Sequence, residues 1–288
     1  RAWGPEIQVK VEVLLEGYER RWGGELTEEI LGVEEEFWTP LLNPKTWNKS
    51  RTWVYPGKID ARIRRDGQVL IREHKTSSES IEDPLDPYWA KLAMDHQVSA
   101  YFLGAEKLAG GDPTLSPRGC EYDVIKKPMH RLKLATPEAE RKYTQPKIDK
   151  KTGEVIEPSR LYATQRESDE TAEEFRARIR EEVLGNLDRY YVRKLIPRTE
   201  SQLAEFMGDA WDQAKVMRES HLAGRAPRNP EACHAFGPCP YWLLCINGGA
   251  DPANYPGEFV RVGFAHPELS EDLQKEFIDG DQNCASDD

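Results

Sequence analysis

The chain has no run of about 18 apolar residues, the length that a membrane-crossing helix needs, so no segment is expected to span a bilayer and no membrane partner is expected. Cysteine is sparse: there are 5, and Cys233, Cys239 and Cys245 lie close together. Three neighbouring thiols cannot all pair with one another, and nothing in the sequence suggests secretion. A disulfide-stapled extracellular domain is therefore excluded, and a cytoplasmic location is expected. Histidine is scarce, and none of the 6 precedes His74. The start, Arg1-Ala2-Trp3-Gly4-Pro5, is neither a signal peptide nor an initiator methionine, so further residues are expected upstream. No internal repeat is evident. Positive charge is in deficit, with 40 Lys and Arg against 51 Asp and Glu, a net charge of −11.

That total does not exclude a nucleic-acid partner, because it says little about where the charges lie. Much of the acid is confined to Glu34-Glu35-Glu36, to the stretch Glu167–Glu182 and to the tail from Glu268 to Asp288. Between Lys126 and Lys151 the balance reverses: lysines and arginines face only Glu138, Glu140 and Asp149. Such a stretch can track a phosphate backbone. Its bland alternative is a solvated basic surface.

The densest chemistry lies in a short hairpin. Ile59, Ala61 and Ile63 alternate with Lys58, Asp60, Arg62 and Arg64, which predicts a strand with Asp60 on its polar face. Asp66-Gly67 is a two-residue turn signal. If the turn is tight, Arg65 faces Gln68, and counting back along both strands sets Asp60 opposite Glu73, with Lys75 on the same face. Facing residues sit roughly 5 Å apart at Cβ, where two carboxylates repel by about 3 kcal/mol at an effective dielectric near 20. A divalent cation suits two such hard donors, and Lys75 can hold a water or a scissile phosphate beside it. The alternative is a solvated strand face on which Asp60, Glu73 and Lys75 form a surface ion pair.

Around the hairpin, apolar spacing predicts a helix over Glu6–Trp22, a strand over Val33–Leu42 and a long helix over Asp86–Leu108. A strand is expected over Cys120–Lys126 with Cys120, Tyr122 and Val124 on one face. Helices are expected over Glu170–Val183 and Glu200–Leu222, with a strand over Arg189–Leu195 between them. On the Asp86–Leu108 helix, Gln97 and Tyr101 stand one turn apart on one face. Trp38, Trp47 and Trp53 could stack on bases, although core or loop anchoring is the ordinary use of tryptophan.

A Gly57-x-x-Asp60 strand, a Glu73-x-Lys75 strand and a downstream Gln97-x-x-x-Tyr101 helix together resemble the PD-(D/E)XK nuclease superfamily. The resemblance is to its RecB-like branch, which includes AddB-type, CRISPR-adaptation and phage nucleases, and it reaches from about Glu6 to Cys245. It implies an α/β fold: a restriction-endonuclease-like core with a mixed central sheet flanked by helices, plus a helical C-terminal lobe with a cysteine cluster. It also implies that Asp60 and Glu73 bind Mg²⁺ or Mn²⁺ with the backbone carbonyl of His74. Lys75 would activate the attacking water or stabilise the charge on phosphorus, and Gln97 and Tyr101 would orient DNA. Members of the family often add a histidine from an upstream helix. Here Glu12 occupies that place in Val11-Glu12-Val13-Leu14-Leu15-Glu16-Gly17-Tyr18. Glu12 is thus the candidate upstream ligand, with Glu35 and Glu36 as competitors.

The branch also includes members that hold a four-iron four-sulfur cluster, with one cysteine before the core and three after it. Cys239 and Cys245 match its last spacing, whereas Cys233-x5-Cys239 is longer than the usual first one. Three readings stay open: a cluster site short of one ligand, a zinc site completed by His234 or His221, or free thiols. Cys120 and Cys284 are read as unrelated. The expected organisation is a nuclease core over 1–135, a polar insertion or mobile loop over 136–160, a C-terminal lobe over 161–266 and an acidic tail over 267–288. The expected activity is metal-dependent hydrolysis of DNA phosphodiesters, most simply at single- or double-stranded ends, within a recombination, repair or defence complex. The alternatives are an inactive nuclease-fold DNA-binding or assembly module and a zinc-stapled scaffold.

Overall fold

A computed structural model of the chain describes residues 4–24, 27–225, 227–235, 237–260 and 269–270. Apart from Leu269 and Ser270, the expected acidic tail, including Cys284, lies outside the described residues. In chain order the elements are α1 Pro5–Trp22, β1 Glu29–Leu42, β2 Lys49–Arg65, β3 Gln68–Ser77, α2 Pro87–Lys91, α3 His96–Ala109 and β4 Pro117–Lys126. These are followed by β5 Lys147–Ile148, β6 Val155–Glu157, α4 Ala172–Gly185, α5 Leu187–Tyr190, β7 Tyr191–Ile196, α6 Glu200–Leu222 and α7 Trp242–Ile246. The fold is α/β, with a mixed five-stranded sheet in the order β1-β2-β3-β4-β7 flanked by helices.

Local sequence explains most of these boundaries. Pro5 opens α1 at a position where its missing N–H costs nothing, and Arg20 and Arg21 lie in the last turn, where they complement the helix dipole. Capping boxes start α4 (Thr171 with Glu174) and α6 (Thr199 with Gln202), each satisfying two backbone donors reciprocally. At the β2–β3 turn, Asp66 and Gly67 have φ of 52° and 75°. Left-handed φ at both central residues is the two-residue hairpin turn whose twist matches the strands. β3 lies third of the five strands, and Val69, Leu70, Ile71, Arg72 and Glu73 are all buried. A strand covered on both faces loses the alternation of a half-exposed one.

The long helix expected over Asp86–Leu108 is interrupted. α2 passes into a 3₁₀ turn at Leu92–Met94, Asp95 becomes extended (φ −70°, ψ 119°), and α3 starts at His96. Aspartate in extended conformation just before a helix holds the N-cap position, which it favours strongly. The strand expected at Arg189–Leu195 is preceded by the short α5 and runs over Tyr191–Ile196. β1 begins at Glu29, earlier than expected. The segment 136–160 contains the small antiparallel ribbon of β5 and β6, with Lys147 paired to Glu157.

Two compact units are interleaved along the chain. The first comprises Arg1–Ile30, Ile63–Asp95 and Cys120–Ile196, and the second Leu31–Arg62, His96–Gly119 and Pro197–Asp288. In the first unit, Val9 and Val13 of α1 meet Phe175, Ile179 and Val183 of α4 together with Tyr190 and Tyr191. Both helices present residues at four-residue spacing, which forms one apolar stripe on each. β4 pairs antiparallel with β7, Val124 opposite Val192, and Cys120, Tyr122 and Val124 are buried as expected. In the second unit, Leu41 packs with Met207, Ala210 and Ala214 of α6, and Trp53 and Tyr55 lie against this cluster.

Candidate active site

In the first unit, Glu73 is 1% exposed, and Lys75, two residues further along β3 on the same face, places its ammonium on Glu73 Oε1. Two tyrosines register the charge on this face. Burial drives the Tyr122 hydroxyl far above its ordinary pKa, and the charges of Asp95, Cys120 and Glu73 add to that. Burial likewise pushes Tyr88 up to about 12, assisted by Glu79, Asp95 and Glu73. Asp95 is therefore a second carboxylate whose field acts on the same tyrosines as Glu73. The apolar period on both sides of Asp95 hides it within one long helix; its local signal is an Asp two residues before Gln97, at a helix start.

The opposite face of β3 and β4 carries a buried ion network. Arg72 donates from Nη1 and Nη2 to Glu28 at 2.7 and 2.8 Å, and from Nε to Glu121 Oε2 at 3.0 Å. Arg65 joins both carboxylates. Asp123 accepts from Tyr18 and from Arg193 Nε (3.0 Å), and His74 Nδ1 lies 3.6 Å from its Oδ2. The imidazole of His74 is thus turned toward the network.

In the second unit, Gln97 Nε2 donates to the Tyr101 hydroxyl at 2.8 Å on α3. Both line a cavity of about 350 Å³ with Phe37, Tyr55, Lys58 and Leu269. Phe37 stands edge-on to Tyr101, with ring centroids 6.4 Å apart. A Cβ at either Gly57 or Gly104 would overlap the Phe37 ring, so the glycine of Gly57-x-x-Asp60 is required by close approach. Asp60 is half-buried on β2. Lys58 pairs with Glu34 at 2.7 Å, and that hydrogen bond holds its ammonium above the usual lysine range.

Glu12, the candidate upstream ligand, is half-buried on α1, where it accepts from Gln8 at 3.1 Å and pairs with Arg176, and these partners hold its carboxyl below the usual range. Its competitors are engaged elsewhere: Glu35 with Arg62 (2.7 and 2.8 Å) and Glu36 with Ser270 (2.8 and 2.6 Å). Among the described residues no three His, Cys, Asp or Glu side chains form a group able to hold a metal ion. The half-buried thiols of Cys233, Cys239 and Cys245 form no such group, although Cys239 N–H donates to the Cys233 carbonyl at 2.9 Å. Of the three tryptophans considered for stacking, Trp38 is covered by Lys107, Trp53 is part of the second unit's packing, and Trp47 is 59% exposed. Lys127, Arg131, Lys133, Lys142, Lys147, Lys150 and Lys151 are exposed.

No helix among the described residues is long and apolar enough to cross a membrane. Comparison with protein-family models, curated proteins and solved structures gives no match to this chain.

Proposed function

We propose that the chain is a metal-dependent DNA nuclease that hydrolyses phosphodiester bonds at strand ends by the PD-(D/E)XK mechanism. The observation that carries this reading is a carboxylate, Glu73, almost fully buried on the central strand with the Lys75 ammonium in contact on the same face. Burying an ionised carboxylate is costly unless a cation compensates it, and a solvated surface pair would have no need of that burial. The two-residue turn at Asp66-Gly67 supports the register count that pairs position 60 with position 73.

By the resemblance, Asp60, Glu73 and the carbonyl of His74 would be the donors to Mg²⁺ or Mn²⁺, a set of hard oxygens of the kind such ions take. When bound, such an ion lowers the pKa of water and neutralises charge on the phosphate and leaving oxygen. Lys75, kept in place by Glu73, donates to the attacking water or to a phosphate oxygen. Gln97 and Tyr101 orient the strand as a hydrogen-bonded pair. The exposed lysines between 126 and 151, with Arg131, supply the sequence-independent attraction to phosphate that the net charge alone would not suggest.

The test is cleavage of labelled linear DNA with Mn²⁺ by the full chain and by Glu73→Ala and Lys75→Ala. Each substitution should lower the rate at least about 10²-fold, the usual consequence of removing a group that stabilises developing charge. Cleavage persisting at the unsubstituted rate in both variants refutes the mechanism. Metal-dependent thermal stabilisation of the unsubstituted chain without cleavage of any DNA replaces it with a binding module.

A further inference from the structure

We propose that the cavity in the second unit takes the unpaired terminal nucleobase of a DNA strand. This rests on the nuclease reading and specifies its substrate: an end with at least one frayed base. At about 350 Å³ the cavity is of a size that small ligands use. Its lining combines three aromatic rings, Phe37, Tyr55 and Tyr101, with the Gln97 amide and the Lys58 ammonium. That chemistry suits a flat heterocycle with a π-face carried on a phosphate, rather than an aliphatic chain or a free acid.

The rings are held before any ligand arrives. Phe37 is 2% exposed and seated against Gly57 and Gly104, and Tyr55 stands edge-on to Phe206 with centroids 5.4 Å apart. Lys58 keeps 31% of its side chain exposed, so its ammonium can meet a phosphate while still paired with Glu34. A base paired inside a duplex has neither face available to these rings, and a base inside a single strand is flanked by neighbours on both sides, so the terminal base is the one that can enter.

One wall of the cavity comes from Leu269, which is 5% exposed, while the adjacent Ser270 donates to Glu36 from its backbone N (2.8 Å) and its hydroxyl (2.6 Å). Residues 268–288 contain eight carboxylates and one lysine, leaving seven negative charges of the chain's net 11. The wall that Leu269 supplies therefore belongs to the segment least favourable to a polyanion, and shortening that side chain enlarges the cavity.

The experiment titrates the full chain, in EDTA, into short single-stranded DNA carrying 2-aminopurine at either terminus or at the centre. Terminal fluorescence at one of the two ends should be quenched and central fluorescence should not. Tyr55→Ala should weaken terminal-probe binding about 5- to 150-fold, the range of base–aromatic stacking, whereas Tyr55→Phe should retain it and so report an intact fold. Lys58→Ala should lower the salt slope by about one, and Leu269→Ala should tighten binding. Equal quenching at centre and ends, no quenching, or indifference to Tyr55→Ala overturns the proposal. Glu73→Ala in the same titration separates the two readings: quenching kept with cleavage lost supports both. Quenching kept with cleavage unaffected retains the base site and removes the nuclease mechanism. Cleavage sensitive to Glu73→Ala with quenching indifferent to Tyr55→Ala removes the base site alone.

Discussion

Glu170→Gln tests how the basic stretch is fastened to the first unit. Glu170 accepts from Arg178 Nε at 2.8 Å and Nη2 at 2.7 Å, and from the Lys133 backbone N–H at 2.9 Å, while Arg178 also donates to the Arg131 carbonyl at 3.0 Å. The carboxylate therefore ties residues 131–133 to α4. The Arg178 hydrogen bond, with the Lys133 N–H, lowers the Glu170 carboxyl from 4.5 to about 2. Taken whole, that depression corresponds to about 3 kcal/mol; with 26% of the Arg178 side chain exposed, solvent screening reduces it to about 1–2 kcal/mol. Because the folded value lies below the unfolded one, the stabilisation is complete above about pH 4.5 and is lost as the pH falls toward 2. Urea denaturation of the unsubstituted chain and of Glu170→Gln should show a gap of about 1–2 kcal/mol at pH 6 that shrinks to less than half at pH 3. A gap of equal size at both pH values, or none at pH 6, refutes the linkage.

Two further substitutions probe close packing and buried charge. Gly57→Ala drives a methyl group into the Phe37 ring and should cost about 1–3 kcal/mol, as overpacking does; thermal denaturation unchanged from the parent would contradict the close approach. Arg72→Met leaves Glu28 and Glu121 with Arg65 as their nearest remaining hydrogen-bonding cation and should cost about 3–5 kcal/mol at neutral pH, read as a fall in the urea midpoint. A midpoint that stays in place would show that the network contributes nothing net.

Elements whose cause is local were legible in the sequence. Asp66-Gly67 specifies its own turn, and the Cys120, Tyr122 and Val124 alternation marks a buried face. Features created by distant partners were not. Glu12 sits at the border of an apolar stripe, which fits a cleft as well as a surface; its partner Arg176 lies on a helix far along the chain, where no local pattern shows it. Asp123 and Glu121 occupy the second face of β4, where alternation alone implies solvent, yet both are buried because Tyr18, Arg72 and Arg193 reach them from separate elements. The break at Asp95 was written in the sequence as a capping residue, but a helical apolar period on both sides concealed it. Of the candidate site, Glu73 with Lys75 and Gln97 with Tyr101 were legible as pairs, since each pair lies within one element.

The interleaving of the two units constrains the order in which the chain can assemble during synthesis. The Tyr191 hydroxyl reaches back 177 positions to the Leu14 carbonyl, and α1 buries its stripe against α4. An emerging N-terminal helix must therefore wait, amphipathic and unpartnered, until most of the chain has left the ribosome. At about 5–20 residues per second that interval is on the order of 10 to 30 seconds. Contacts of such sequence separation fold slowly, so the strand hairpin at Asp66-Gly67, which needs no distant partner to turn, is the natural place for order to begin.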